Sequence, residues 1–209
     1  MLNTLRHQDY FNPIKVKEEI HIIGVGAVGS HIAIALARLG ITNVHIWDFD
    51  NVESHNIPNQ IFNEEHLGKL KIDAVEQEML KINPELSIQK HNKYESEQLK
   101  GYVFSCVDNI EVRKHIYETN EYNGLLKAVF DTRIGLDAGQ VYSADWEKTD
   151  DINNLIAVSD FSHDEVEQPT SACGTRLTVL PTVQITATFA VSNFINFIKE
   201  KVFASCEII

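Results

Sequence analysis

Cysteine is scarce in this chain of 209 residues. Cys106, Cys173 and Cys206 are an odd number with no paired spacing, which excludes a four-cysteine zinc site and fits a reducing compartment. Basic residues are outnumbered as well. Eighteen Lys and Arg against 30 Asp and Glu leave a formal net charge of −12, so a nucleic-acid backbone or an anionic bilayer would be repelled. Long apolar runs are missing. The N-terminal MLNTLRHQDYFNP holds no stretch of signal-peptide length, and the apolar segment from Leu177 to Ile198 is broken by Pro181, Gln184, threonines and two asparagines. These absences predict a soluble cytoplasmic protein with no nucleic-acid or membrane partner. The length suits one α/β domain, 1–209, with 1–19 as an N-terminal segment and 146–180 as a crossover loop.

The richest stretch runs from Ile20 to Asp50, IHIIGVGAVGSHIAIALARLGITNVHIWDFD. An apolar β-type run feeds a turn carrying Gly24, Gly26 and Gly29, a helix-periodic segment follows, and a second β-type run ends on Asp48 and Asp50. This is the pattern of a nucleotide-binding βαβ unit. The first glycine permits a sharp turn, the second lets backbone N–H groups approach a phosphate, and the third lets helix and strand pack closely. An acid about 20 residues past the turn, here Asp48, is placed for ribose hydroxyls. Asp50 reads as structural. Such a turn alone is equally compatible with an NAD-linked oxidoreductase.

Beyond it, NVESHNIPNQIFNEEHLG reads as a polar loop at the carboxyl end of the sheet, and KLKIDAVEQEMLKINPEL as a helix stopped by Asn83-Pro84. LSIQKH and YVFSCV read as strands, the latter apolar throughout as a parallel strand covered on both faces would be, and it ends on Asp108-Asn109. A short helix from Ile110, the strand LLKAVFDTRI and a hairpin partner QVYSAD follow. From Trp146 to Thr178 periodicity is weak, with one short strand expected at Leu155 to Val158. A last helix carries the stripe Val183, Ala187, Ala190, Phe194, Phe197 and Ile198. The fold class is a Rossmann-like α/β domain, mostly parallel with an antiparallel extension. Cys106, inside an apolar strand, reads as core. The nine histidines show no HxxxH or His/Cys spacing, and His21 and His45 read as core or edge residues and not as ligands.

Five segments together resemble the ThiF/MoeB/HesA group, the adenylation domains of ubiquitin-activating-type enzymes: GVGAVGS, DFDNVESHNIPNQ, GKLKIDAVEQEMLKINP, CVDNIEVR, and Cys173 eight residues before Pro181. The likeness spans Ile20 to Lys199. It implies an enzyme that joins a carboxylate, usually the C-terminal glycine of a small ubiquitin-like or sulfur-carrier protein ending in Gly-Gly, to the α-phosphate of ATP. The carboxylate is already a nucleophile, so positioning and charge neutralisation suffice.

Carried over by position, the resemblance gives Asp48 the ribose, Asn56 and Gln60 the phosphate site, Lys71 the phosphates and Asp108 an Mg²⁺ ion. Asn109 and Arg113 belong to the same motif, Arg113 as a brace for the loop. Cys173 matches the loop cysteine that is acylated or persulfurated in some members, although Asp164, Glu165 and Glu167 nearby disfavour a thiolate. A homodimer is implied; the family's paired CxxC zinc site is absent from the sequence, so ATP and Mg²⁺ are the expected cofactors and zinc is not. One departure stands out. The family's usual phosphate-directed arginine is Asn59 here, which leaves a degenerate, nucleotide-holding relative as the alternative reading, with Arg6 as a candidate replacement cation.

Overall fold

A computed structural model describes residues 2–160 and 177–204, and the backbone of 207–208. Among these residues seven strands form one sheet in the order β3-β2-β1-β4-β5-β6-β7: β1 (Ile20–Ile23), β2 (Asn43–Trp47), β3 (Ser87–His91), β4 (Gly101–Ser105), β5 (Leu126–Ile134), β6 (Gly139–Asp145) and β7 (Glu207–Ile208). β3, β2, β1, β4 and β5 run parallel; β6 and β7 continue antiparallel. Starting from β1, the chain first fills one side of the sheet with β2 and β3 and then returns to the other side with β4. The connections therefore diverge between β1 and β4, and the crevice beyond their carboxyl ends is where an open α/β sheet receives a ligand.

The helices are α1 (Ala27–Leu39), α2 (Lys71–Ile82), α3 (Ile110–Asn120), α4 (Thr149–Ala157) and α5 (Leu180–Glu200). α1 ends at Gly40, whose φ of 84° is left-handed and lets its N–H close on the last carbonyls of the helix. α2 stops before Asn83-Pro84 because proline cannot supply the next helical N–H.

The sheet separates two apolar cores. On one face Ile20, Ile22, Val44 and Ile46 meet α1, α2 and α5, with Phe104, Phe130, Phe194 and Phe197 forming an aromatic cluster at ring separations of 5.0 to 6.5 Å. On the other, Ile23, Trp47, Val103 and Val129 meet Ile116 and Tyr117 of α3 and Ile152 and Leu155 of α4. Each such buried side chain contributes on the order of 1.5–3 kcal/mol.

The strand expected at Leu155 to Val158 is instead the end of α4, so part of the 146–180 crossover is helical. The acids Asp150 and Asp151 lie in its first turn, where they suit the helix dipole, and Ile152, Leu155 and Ile156 make an i, i+3, i+4 stripe against the second core. That spacing, and not the β-branched content of the segment, governs its conformation. Among the described residues no helix is long and apolar enough to cross a membrane.

Candidate functional site

The glycine-rich turn sits at the carboxyl end of β1. Gly24 has φ of 89°, and a Cβ there would lie 2.9 Å from the backbone of Cys106 at the end of β4, so the two strand ends touch at this point. A Cβ on Gly29 would collide with the Gly24 carbonyl. Gly26 differs, since a Cβ there meets nothing within 4 Å. Its bareness answers to no neighbour in the chain. It is also the N-cap of α1, and no side chain caps that helix end.

Asp48 holds the turn from the next strand. Its Oδ2 accepts the Val25 N–H at 2.9 Å and its Oδ1 accepts the Asp50 N–H at 2.9 Å. Burial pushes this carboxyl above the ordinary aspartate value, while the charge of Lys71 and the two backbone N–H groups pull it down. Lys71, at the start of α2 and 8% exposed, donates from Nζ to Asp50 Oδ2 at 2.8 Å. Its backbone N–H bonds the Asp50 carbonyl at 2.9 Å. Asp48, Asp50 and Lys71 are thus brought together beside the turn, and Asp50, which the sequence marked as structural, is the lysine's partner.

The intervening loop is closed by an antiparallel bridge between Asn51 and Leu70. Asn56 is buried, and its Oδ1 accepts the Glu53 N–H at 2.8 Å, so this side chain shapes the loop. Asn59 donates from Nδ2 to Thr178 Oγ1 across to the segment leading into α5. Among the described residues Asn59 Oδ1, Gln60 Oε1 and His31 Nε2 are buried without a hydrogen-bond partner. His31 of α1 lies against the Asn59 backbone, and burial lowers its pKa. Nothing in the sequence marked His31, because one histidine on an apolar helix carries no pattern.

The second strand-end acid, Asp108, is exposed beyond β4. Asn109 caps α3, its Oδ1 accepting the Val112 N–H at 2.9 Å. Arg113 turns back beneath both. Its guanidinium donates to the carbonyls of Ser105 (3.3 Å), Val107 and Thr132 (2.8 Å) and pairs with the fully buried Asp131, which also accepts from Arg133 Nε at 2.8 Å. The bracing role expected of Arg113 is what its contacts describe, whereas Asp131 and Arg133 went unread because LLKAVFDTRI scans as an ordinary strand. Cys106 is half-buried and packs against the first core, and desolvation raises its thiol pKa to about 11, which keeps it a thiol. Cys173 lies outside the described residues.

The model of the ThiF family matches residues 14–206 of this chain. Curated relatives include the ubiquitin-like modifier-activating enzyme 5 of Drosophila mojavensis, 34% identical over 125 residues, or 51% of this chain and 31% of that protein. The enzyme of the same name from Caenorhabditis elegans is 30% identical over 118 residues, 47% of this chain and 28% of its own length. The matched stretch is therefore about a third or less of those proteins. Among solved structures, E. coli MccB with ATP superposes with a TM-score of 0.64 at 20% identity, covering 91% of this chain and 59% of that one. PaaA superposes with a TM-score of 0.65 at 17% identity, covering 94% and 64%. These likenesses show the fold: the adenylation fold expected from the sequence.

Proposed function

Because this chain belongs to the ThiF family, we propose that it is an ATP-dependent adenylyltransferase acting on the C-terminal carboxylate of a small ubiquitin-like or sulfur-carrier protein ending in Gly-Gly. One observation carries this reading. A nearly buried lysine, Lys71, is held beside an acid that itself grips a glycine turn, at the crevice where strand connections diverge. The turn and the uncapped start of α1 offer N–H groups to phosphate, and Gly26 leaves the approach open. Asp48 then takes the ribose, and Lys71 leaves Asp50 for the phosphates. Gln60 and Asn56 line the phosphate site, where an orphaned Gln60 Oε1 awaits a polar partner. Asn109 orients the loop that carries Asp108.

An exposed carboxylate at a strand end suits Mg²⁺, a hard cation usually held by one or two carboxylates and substrate phosphates. Asp108 is the residue that would hold it, and bound there it would neutralise phosphate charge. In the reaction a carboxylate oxygen attacks the α-phosphorus, the bond to the bridging oxygen breaks, and pyrophosphate leaves with that electron pair. The mixed anhydride can then pass to the Cys173 thiolate, which forms a thioester and expels AMP. The assembly we expect is a homodimer in the cytoplasm. ThiF-family E. coli MccB was crystallised with a nonhydrolysable ATP analogue and MccA together, consistent with a site that holds nucleotide and polypeptide at once.

Pyrophosphate exchange into ATP, measured with Mg²⁺ and Gly-Gly carrier proteins, should appear only with a cognate carrier. Its absence across a carrier panel would overturn turnover. Asn59 favours a second reading, a nucleotide-holding relative without activity. If Asn59→Arg raises exchange from nothing, the wild type is a degenerate enzyme; if ATP binds and neither variant turns over, the chain is a scaffold.

A further inference from the structure

Two groups of histidine and carboxylate lie away from the crevice, and they differ in what neutralises them. In the first, His66 Nδ1 accepts the Asn63 N–H at 3.2 Å, which leaves the proton of the neutral ring on Nε2, 3.1 Å from Glu78. Lys81 Nζ reaches Glu78 at 2.6 Å and Glu65 at 3.0 Å. That group already carries its own cation.

The second group has no such cation. Glu19 Oε2 lies 3.5 Å from His21 Nε2 and 3.9 Å from His45 Nε2, and one ligand atom from each of the three residues falls within 4.8 Å of the others. Among the described residues both Nε2 atoms are buried without a geometrically sound hydrogen-bond partner, in residues 4% and 6% exposed, with the Lys100 backbone close to the His21 ring. Among the described residues no lysine or arginine pairs with Glu19. Backbone register builds the arrangement: His21 on β1 stands directly opposite His45 on β2, their rings 4.5 Å apart. Alternation along the strands puts both on the face of Ile23 and Trp47, away from α1. Behind them His91 stacks on His45, its Nε2 3.1 Å from His45 Nδ1. Glu19, a third exposed, provides the way in from solvent.

We propose that Glu19, His21 and His45 form a binding site for a divalent first-row transition metal ion of the zinc class. Two imidazole nitrogens and one carboxylate oxygen are the ligands, and the remaining positions take water. His91 supports it from outside. With the His45 proton on Nδ1 and donated to His91, the Nε2 lone pair is turned to the metal, the usual way a ligating imidazole is held. His21 needs one rearrangement. Trp47 Nε1–H donates to His21 Nδ1 at 3.3 Å, so the neutral ring carries its proton on Nε2. Metal binding moves that proton to Nδ1, and Trp47 gives up a bond already longer than the usual N–H range. Occupancy is thereby tied to the surroundings of the Trp47 indole.

The test uses the whole chain, stripped with chelator and titrated with Co²⁺ and then Zn²⁺. We expect a single equivalent of Co²⁺ with visible d–d absorption that Zn²⁺ abolishes, and a Zn²⁺-dependent change in tryptophan emission that Trp47→Phe removes. Glu19→Gln, an isosteric change at a partly exposed position, should weaken binding about tenfold or more, and His91→Ala by about 10–100-fold. Cys173→Ser should bind as wild type does. No Co²⁺ absorption at one equivalent, unchanged affinity in Glu19→Gln, or loss of binding in Cys173→Ser would each overturn the site.

Discussion

The loops after β2 and β4 are built on one plan and put to different use. Each ends a parallel strand on an acid at the carboxyl edge, and each receives a cation from the helix that follows. After β2 the cation is Lys71, paired with Asp50, whose side chain is 53% exposed. After β4 it is Arg113, paired with Asp131, which is fully buried, and its guanidinium also serves three backbone carbonyls. A lysine with one half-solvated partner can exchange it for an incoming anion, because the released Asp50 carboxylate is taken up by water. A guanidinium with its donors committed in the interior cannot. Lys71 and Arg113 are themselves equally buried, so what separates the two loops is the burial of the partner and the number of donors already committed.

The sharpest way to break this contrast is to remove Asp131. Asp131→Ala leaves the Arg113 and Arg133 charges buried around an empty position and should cost about 3–5 kcal/mol, read from the urea midpoint at constant slope. Removing Lys71, the cation after β2, should instead largely spare stability and cost activity. Lys71→Met keeps the apolar stem in place and should lower stability by about 1 kcal/mol or less, while ATP–pyrophosphate exchange falls about 10²–10³-fold. If Lys71→Met proves as destabilising as Asp131→Ala, the division fails. The smallest effect concerns Cys106, beneath the Arg113 brace. With its pKa near 11, its thiolate fraction at pH 8 is about one in a thousand, so peptide mapping after iodoacetamide should find it unmodified in the folded chain and alkylated once denatured.

Much of this was legible from residues alone. The Gly24–Gly29 turn, Asp48 after the second strand and the helix starting at Ile110 follow from local rules: where glycine must go, where an acid ends a strand, where apolar periodicity begins. α4 is faint in the sequence because only three large apolar residues mark it, too few for its period to outweigh its β-branched composition. His31 beside Asn59, and Asp50 as the partner of Lys71, were hidden by long sequence separation.

The order of motifs therefore determined the family and the parallel sheet, since glycine turns, strand-end acids and helix stops act within a few residues of themselves. Which charges would be solvated and which buried, and that His21, His45 and Glu19 would meet under β1 and β2, was decided only when strands separated by some twenty residues came into register. Burial and lateral pairing are properties of the packed sheet, and no local stretch of chain contains them.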